Sequence, residues 1–286
     1  MKYPLITLYT PGNRPEFAEK AKQYKPDGII IDLEDAVPIR LKEKTREEVA
    51  AFIPRLDPGC IMVRVNNDPR YLEADLKAVV SRHLYGIVLP KADSVALIKT
   101  VDDILNGLEK ERHLPADSMR LLLLIETALC VEKCFDVASA AARVDTVIFG
   151  SAQDADLQRD LKCAWSIEGT EMLYARSKCL LDARAAGLKY VLDGAFSDIK
   201  NDDALRKDST LSKRLGYDGR TLIYPRQLAV AREVYLPSPA ELDYCKRLTL
   251  AFEEAEARGL AAVSFEGKMI DYAMYKKAKT LLDEWS

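Results

Sequence analysis

The feature that most constrains how this chain can fold is the alternation of short apolar runs with amphipathic segments. Several of the apolar runs are rich in Ile and Val, and they recur every 20 to 45 residues or so along the chain. Runs of this kind are typical of strands that are buried on both faces of a sheet. The pattern predicts eight strands, at residues 5–10, 28–33, 60–65, 86–89, 121–125, 146–149, 190–192 and 221–224.

Amphipathic segments with helical spacing lie between these runs and predict the connecting helices. Clear examples are residues 71–82, 94–108, 130–142 and 170–186. Strand and helix alternate eight times, which favours an α/β fold of the (β/α)8 TIM-barrel type, a fold that needs about 250 residues. An open doubly wound sheet is the alternative, because alternation along a sequence does not show closure. No Gly-x-Gly-x-x-Gly motif follows the first run, so the dinucleotide-binding version of that sheet has little support.

After the eighth run the pattern changes, and the chain continues beyond what a barrel requires. Pro237-Ser-Pro239 interrupts it, and helices are predicted over residues 240–258 and 273–285. We therefore predict two parts, a barrel domain at residues 1–236 and a C-terminal helical extension at residues 237–286. The extension either packs on its own barrel or forms an arm and lid that reaches a neighbouring subunit.

Composition argues against several classes of function. The chain has 42 Lys and Arg against 45 Asp and Glu, a net charge of −3, and no basic block long enough for a nucleic-acid groove. No apolar run approaches the ~18 residues that cross a bilayer, and the first residues lack the shape of a signal peptide, so we expect a cytoplasmic protein with no membrane partner. His83 and His113 are the only histidines. Proton transfer is therefore expected to fall to carboxylates or bound water rather than to a Ser-His-Asp triad.

Acidic residues close the predicted strands at the end where barrel enzymes carry their active sites. The second run ends in Asp32-Leu-Glu34-Asp35, the fifth ends in Glu126, and the sixth leads to Asp154. Neighbouring parallel strands would bring Glu126 and Asp154 to the same rim, where paired carboxylates suit Mg²⁺, or Mn²⁺ in its place. Mutual ion pairing of the charged groups is the alternative to a metal site.

Basic residues complete the predicted site. Arg64 lies in the third run, and it either neutralises Glu34 or Asp35 or clamps a substrate carboxylate with two hydrogen bonds. Arg14 and Lys20 follow the first run at the start of a predicted helix and are candidates for phosphate binding. Ordinary surface residues are the alternative interpretation of that basic pair.

Ten segments, taken in order, run through nearly the whole chain. They are Pro11-Gly-Asn-Arg-Pro, Ile31-Asp-Leu-Glu-Asp-Ala-Val, Val63-Arg-Val-Asn, Leu89-Pro-Lys, Leu124-Ile-Glu-Thr, Phe149-Gly-Ser-Ala-Gln-Asp, Tyr174-Ala-Arg-Ser, Ala185-Ala-Gly, Ile223-Tyr-Pro-Arg-Gln and Gly267-Lys-Met-Ile-Asp. This ordered set resembles the motifs of the citrate lyase beta-subunit-like proteins of the HpcH/HpaI aldolase/citrate lyase superfamily. That group includes malyl-, citramalyl- and citryl-coenzyme A lyases. The length of the match makes it far more specific than any single motif.

The resemblance implies a (β/α)8 barrel that assembles as a homotrimer or hexamer. It implies that Mg²⁺ is held by the residues matching Glu126 and Asp154, and that Arg64 contacts the reacting acid or thioester. The basic pair Arg14 and Lys20 is implied to lie near the phosphates of coenzyme A. In such proteins the C-terminal segment crosses to a neighbouring subunit and delivers an aspartate that matches Asp271.

On this basis we predict a magnesium-dependent carbon–carbon lyase that cleaves, or in reverse forms, a 3-hydroxyacyl-coenzyme A thioester. Its partners are expected to be a small-molecule acyl-CoA and a 2-keto acid such as glyoxylate, pyruvate or oxaloacetate. Arg64, Glu34 and Asp271 are the predicted catalytic residues: Arg64 stabilises the thioester enolate, and Asp271 exchanges the proton at the enolate carbon. Asp35 is predicted to contact the substrate.

Two other functions stay open from the sequence. One is a citrate lyase beta-type subunit that acts on a carrier-protein thioester within a larger complex. The other is a malate-synthase-like condensing enzyme that also hydrolyses the thioester. Two departures from the group's motifs bear on the substrate: Tyr224 stands where the group usually has a histidine, and residues 193–203 replace the commoner Asp-Thr-Pro.

Overall fold

The computed structural model describes residues 3–56 and 59–285. Eight parallel strands pair in chain order, and the first strand also pairs with the eighth, so the sheet closes into a barrel. The strands are β1 (Ile6–Pro11), β2 (Gly28–Asp32), β3 (Ile61–Arg64), β4 (Gly86–Leu89), β5 (Arg120–Ile125), β6 (Val144–Phe149), β7 (Tyr190–Asp193) and β8 (Gly219–Leu222). The predicted (β/α)8 barrel is confirmed.

Helices connect the successive strands. They are α1 (Pro15–Lys22), α2 (Lys42–Phe52), α3 (Leu72–Val79), α4 (Val95–Glu111), α5 (Ala128–Glu132), α6 (Cys134–Ala138), α7 (Asp156–Leu161), α8 (Leu173–Ala185), α9 (Asp202–Leu215) and α10 (Gln227–Tyr235), with short 3₁₀ turns at Ile39–Leu41 and Ile53–Leu56. The single helix predicted over residues 130–142 is wrong, because α5 and α6 are separate short helices that meet at Lys133.

The core lies inside the barrel and between its strands and helices. Every residue of β2 and β4 is buried, which explains why these strands are continuous apolar runs. On α4 the buried residues include Ile98, Val101 and Leu105, spaced three and four apart, so one stripe of the helix is turned away from solvent.

The last barrel strand begins two residues earlier than predicted, at Gly219 rather than Thr221. The prediction followed the apolar residues, but β8 pairs with β7 through Gly219 and Arg220, and with β1 from Arg220 onward. Arg220 is fully buried, because Asp208 lies 3.0 Å from its Nη1 and neutralises it. Because Arg220 is charged, the apolar pattern did not indicate that β8 begins at Gly219.

The C-terminal part is a separate compact unit, from Leu236 onward. It contains α11 (Pro239–Ala257), an antiparallel hairpin of β9 (Ala262–Phe265) and β10 (Lys268–Asp271), and α12 (Tyr272–Trp285). The two helices were predicted and the hairpin was not.

Both the start of α11 and the hairpin turn have local causes. Ser238 and Glu241 form a reciprocal capping box at the first turn of α11. The hairpin turns at Glu266 and Gly267, both with positive φ, as a tight two-residue turn requires. The unit has its own apolar cluster, made of Leu248, Phe252, Ile270, Tyr275 and Ala278.

Within the described part of the chain, no helix combines the length and the apolar character needed to span a membrane.

We predict that Gly219→Ala prevents stable folding, whereas Gly107→Ala does not. A methyl group at Gly219 would collide with the backbone carbonyl of Leu5 across the β1–β8 pairing. Rigid backbone cannot yield as a side chain does, so the expected cost is more than about 4 kcal/mol of unfolding free energy. Gly107 is exposed in the interior of α4 with open space around it, and alanine there should stabilise by about 0.5–1 kcal/mol. Thermal melting of both variants tests this, and a Gly219→Ala protein that melts like the wild type would contradict it.

Candidate active site

A cavity of about 630 Å³ opens at the carboxyl ends of the barrel strands. Four of the predicted site residues line it: Asp35, Arg64, Glu126 and Asp154. Asp32, which was predicted only as part of the acidic rim, and Asp156, which was not predicted, line it as well. The cavity thus brings two guanidinium groups, those of Arg64 and Arg159, and several carboxylates to one face of the barrel.

Arg64 is held mainly by Asp32. Its Nε donates to Asp32 Oδ1 at 2.8 Å, and its Nη2 donates to Oδ2 at 2.6 Å, which is a bidentate pair. Its Nη1 lies 3.1 Å from Glu34 Oε2 and 3.4 Å from Asp35 Oδ2. Burial alone would lower the pKa of Arg64, but the Asp32 carboxylate raises it well above its usual value, so the guanidinium stays charged. The predicted pairing with Glu34 and Asp35 exists but is secondary to Asp32.

A signal for the Arg64–Asp32 pair was present in the sequence. Each is the one charged residue in its predicted apolar run, and in the structure the two are partners in register at the ends of β3 and β2. Register between strands is a property of the sheet, however, and the sequence alone did not supply it.

Glu34 lies between the two cationic groups of the site. Its Oε2 contacts Arg64 Nη1 without hydrogen-bond geometry, and its Oε1 accepts a hydrogen bond from Lys91 Nζ at 2.9 Å. The side chain is mostly buried, and burial raises the pKa of its carboxyl group. Glu34 is not among the residues that line the cavity. Its position suits it to orient Arg64 and Lys91.

Lys91 is a site residue that the sequence analysis did not assign. Its Nζ lies 2.9 Å from Glu34 Oε1, 2.8 Å from Asp156 Oδ2 and 3.6 Å from Glu126 Oε1. Burial lowers the pKa of Lys91, but the surrounding carboxylates, Glu126 first, raise it above its usual value. Lys91 has a positive φ of 50°, an uncommon conformation for a residue with a side chain. Its backbone carbonyl accepts a hydrogen bond from Asn67 Nδ2 at 3.1 Å, which helps to hold it there.

Glu126 directly follows β5, at the point where the chain turns into α5. Thr127 Oγ1 accepts a hydrogen bond from Cys130 N at 3.1 Å and caps α5, so the residue before it is fixed at the rim. Glu126 Oε1 accepts a hydrogen bond from the backbone N–H of Lys91 at 3.2 Å. Burial and then the charge of Glu34 raise the pKa of Glu126 to about 7. A buried carboxylate of this kind is stabilised when a cation binds beside it.

Asp154 lies in the loop after β6 rather than at the end of the strand. It adopts a positive φ of 61°, and its backbone N–H donates to Gln158 Oε1 at 2.6 Å. The backbone of this loop turns the chain into α7, whose first residue, Asp156, pairs with Lys91. Asp154 lines the same cavity as Glu126, as the neighbouring positions of β5 and β6 led us to expect.

The chemistry of these donors fits a hard divalent cation. Glu126 and Asp154 both present carboxylate oxygens, which Mg²⁺ prefers. Across residues 3–56 and 59–285, no three His, Cys, Asp or Glu side chains form a group that could hold a metal unaided. Mg²⁺ is commonly held by one or two carboxylates and takes its other ligands from water and substrate. The pair of carboxylates fits a cation bound in that way.

Arg14 and Lys20 lie outside the cavity lining. Arg14 Nε pairs with Glu16 Oε1 at 2.7 Å, and its guanidinium lies 4.9 Å from the centre of the Phe17 ring. Lys20 Nζ lies 5.8 Å from the same ring. Both residues belong to an exposed cluster at α1, so their predicted role in binding phosphate stays a prediction.

Asp271 belongs to the C-terminal unit. It is exposed and ends β10, and its Oδ1 accepts hydrogen bonds from the backbone N–H groups of Ala273 at 3.0 Å and Met274 at 3.1 Å. In this conformation the carboxylate caps the start of α12. A catalytic role for Asp271 stays a prediction.

Comparison with known proteins gives a family match and full-length relatives. A family model for HpcH/HpaI aldolase/citrate lyase matches residues 5–225. Citrate lyase subunit beta of Haemophilus influenzae is 34% identical over 286 aligned residues, covering 99% of this chain and 97% of that protein. The (3S)-malyl-CoA thioesterase of Cereibacter sphaeroides is 32% identical over 267 residues, covering 92% of this chain and 88% of that protein.

Solved structures share the architecture. The crystal structure of CitE from Mycobacterium tuberculosis in complex with magnesium, acetoacetate and coenzyme A has a TM-score of 0.76 and 25% identity, covering 98% of this chain and 97% of that one. A citrate lyase from Burkholderia xenovorans has a TM-score of 0.82 at 19% identity, covering 99% and 92% of the two chains, and supports the fold alone.

The raised pKa of Glu126 predicts a pH-dependent cost to stability. Its folded-state pKa of about 7 exceeds the ordinary 4.5, so its favourable contribution is complete below pH 4.5 and is lost as the pH rises through 7. In the presence of a chelator, ionising Glu126 at pH 8 should cost about 3 kcal/mol. Glu126→Gln removes that cost, so the variant should melt several degrees above the wild type at pH 8 and lose this advantage near pH 5.

Glu132→Gln is the matched control for this experiment, because Glu132 is exposed on α5. Its melting temperature should follow that of the wild type across the same pH range. Parallel curves for the wild type and Glu126→Gln would contradict the perturbed ionisation of Glu126.

Proposed function

The chain belongs to the HpcH/HpaI aldolase/citrate lyase family, and on that premise we propose that it is a magnesium-dependent carbon–carbon lyase. Its substrate is a 3-hydroxyacyl-coenzyme A thioester such as malyl-, citramalyl- or citryl-CoA. The products are acetyl-CoA and a 2-keto acid, and the reverse condensation uses the same site. The observation that carries the proposal is the shared cavity, in which Arg64 faces the same space as the carboxylates of Glu126 and Asp154.

Glu126 and Asp154 would hold the metal. When bound, Mg²⁺ supplies a Lewis acid that polarises the hydroxyl or keto oxygen of the substrate. The M. tuberculosis CitE structure, which contains magnesium, acetoacetate and coenzyme A, supports the use of magnesium. Lys91 Nζ lies 3.6 Å from Glu126 Oε1 and 2.8 Å from Asp156 Oδ2, and it partly balances the negative charge beside the metal site.

Cleavage breaks the bond between C2 and C3 of the 3-hydroxyacyl group. The C3 hydroxyl gives its proton to bound water or to a carboxylate, the C3 oxygen becomes the keto oxygen, and the electron pair of the broken bond passes to C2 as a thioester enolate. Arg64 stabilises the negative charge that develops there, since Asp32 keeps the guanidinium oriented in the cavity. We assign Glu34, predicted as catalytic, to positioning Arg64 and Lys91, because it contacts both and does not line the cavity.

Two relatives of this chain each support an alternative function. The Haemophilus relative is a citrate lyase beta subunit, which favours a thioester presented within a larger complex. The Cereibacter relative is a malyl-CoA thioesterase, which favours hydrolysis of the thioester bond. The three reactions differ in their products and in the form of the thioester, so one assay separates them.

We expect the purified protein to release a 2-keto acid and acetyl-CoA from at least one of malyl-, citramalyl- and citryl-CoA, without free thiol. A chelator should abolish the reaction, and Mg²⁺ or Mn²⁺ should restore it. Asp154→Asn and Glu126→Gln should each lower turnover by ~100-fold or more while the protein stays folded, because each removes a charged oxygen from the metal site.

Other product patterns in that assay identify the other functions. Release of free thiol together with the intact hydroxy acid, without keto acid, would indicate the thioesterase. Activity restricted to a carrier-protein thioester would indicate the beta-subunit function. Full activity in the presence of chelator would contradict the metal-dependent mechanism.

We further propose that Asp271 delivers the proton to the enolate carbon from the C-terminal unit of a neighbouring subunit in a homotrimer or hexamer. Its exposure and its place at the end of a hairpin support this, together with the family's motif. Asp271→Asn and Glu126→Gln proteins should each be inactive, but mixed oligomers should regain part of the activity at sites that combine an intact barrel with an intact Asp271. Absence of complementation in oligomers proven to have exchanged subunits would contradict the proposal.

A further inference from the structure

We propose that residues 194–196 form a rigid wall of the cavity that sets the size of the 2-keto acid, with Ala195 as the specificity-determining residue. This inference rests on the proposed lyase function and deepens it. Gly194 and Ala195 follow β7 directly and line the cavity, and Ala195 is half-buried there. Three observations carry the inference: how the segment is held, where it lies, and how small its side chains are.

The first end of the wall is held by buried charge. Arg220 donates to the carbonyl oxygen of Gly194 from both Nε at 3.1 Å and Nη2 at 2.8 Å. Its Nη1 donates to Ser209 Oγ at 2.6 Å and lies 3.0 Å from Asp208 Oδ2. The N–H of Gly194 donates to Asp193 Oδ1 at 2.8 Å. Both polar groups of the Gly194 backbone are therefore fixed by residues that solvent does not reach.

The second end of the wall is held by a buried amide and by packing. Gln227 Nε2 donates to the carbonyl oxygen of Phe196 at 2.8 Å, and Gln227 itself is 1% exposed. The Phe196 ring packs with Leu205 and Val230, and it meets Trp165 edge-on at a centroid distance of 6.0 Å. Ala195 thus lies between two anchored residues, and its backbone has little freedom to move outward.

The wall lies close to the proposed metal ligands. A Cβ added to Gly194 would meet Ser151 N at 2.8 Å, and one added to Gly150 would meet Glu126 Cβ at 2.8 Å. The ends of β5, β6 and β7 are therefore in contact in that order. Neighbouring strands are about 4.8 Å apart, so the ends of β5 and β7 are separated by roughly 10 Å along the barrel wall.

The wall and two residues beside it, Gly150 and Ala152, present only small groups to the cavity. Gly150 and Ala152 from the β6 end, with Gly194 and Ala195 from the β7 end, line the cavity with nothing larger than a methyl group. Space left beside the reacting carbonyl can take a substituent on the keto acid. The geometry points to acids that carry a methyl or carboxymethyl group, such as pyruvate or oxaloacetate, rather than to glyoxylate alone.

The test is Ala195→Val, which adds two carbons to a side chain whose backbone is held on both sides. We expect kcat/KM for citramalyl-CoA and citryl-CoA to fall about tenfold or more relative to kcat/KM for malyl-CoA, since one or two carbons in a closed pocket discriminate by that factor. Ala195→Ser adds one heavy atom and should give a smaller fall in the same kcat/KM ratio. This variant replaces the valine variant in the test if the valine variant does not fold. Melting temperatures report folding separately from selectivity.

Ala96→Val is the matched control. Ala96 is exposed in the first turn of α4 and does not line the cavity, so the same two carbons there should leave the selectivity unchanged. A uniform fall for all three thioesters in Ala195→Val, or the same selectivity change in Ala96→Val, overturns the size-filter inference and leaves the lyase function in place. A wild-type protein that cleaves none of the three thioesters overturns both.

Discussion

The interaction on which the candidate site depends is the bidentate pair between Arg64 and Asp32. Charged groups in the mouth of a barrel are costly unless opposite charges meet them. Asp32 neutralises Arg64 across β2 and β3, Glu34 joins Arg64 to Lys91, and Lys91 approaches Glu126. The sign alternates at each contact, so every charge has a partner. Removing Arg64 would leave the Asp32 and Glu34 carboxylates buried with their charge poorly compensated.

A second network of buried charges organises the β7–β8 side of the barrel. Arg176 pairs with Asp193 at 2.5 Å and with Asp208 at 2.9 Å, and Arg220 pairs with Asp208 at 3.0 Å. Burial alone would raise the pKa of Asp208, but the two guanidinium groups, Arg220 first, lower it. Arg220 is fully buried, and it fixes the backbone of Gly194 by donating a hydrogen bond to the Gly194 carbonyl oxygen. Its role is to shape the cavity wall rather than to take part in chemistry.

A barrel of this type supports many chemistries, so the reaction has to be argued from the site. The site combines Arg64, which has a fixed partner in Asp32, with the cavity-lining carboxylates of Glu126 and Asp154. Lys91 lies beside Glu126. That pattern suits stabilisation of an enolate beside a divalent cation, and it needs no histidine. Tyr224, at the position where the motif resemblance implies a histidine, is 44% exposed and not among the lining residues, whereas Ile223 lines the cavity.

The sequence by itself determined the eight strands, the barrel class and the acidic rim, because buried parallel strands need continuous apolar runs and barrel sites form at their carboxyl ends. It identified Arg64, Glu126 and Asp154 as residues of one site, and the structure brings them to one cavity. It did not identify Asp32 or Lys91 as the partners that balance these charges. Which charges meet is decided by strand register and by loops with positive φ, and neither follows from spacing along the chain. Only the tertiary structure decided those pairings, because a buried charge is stabilised by whichever opposite charge lies within a few ångströms, however distant in sequence.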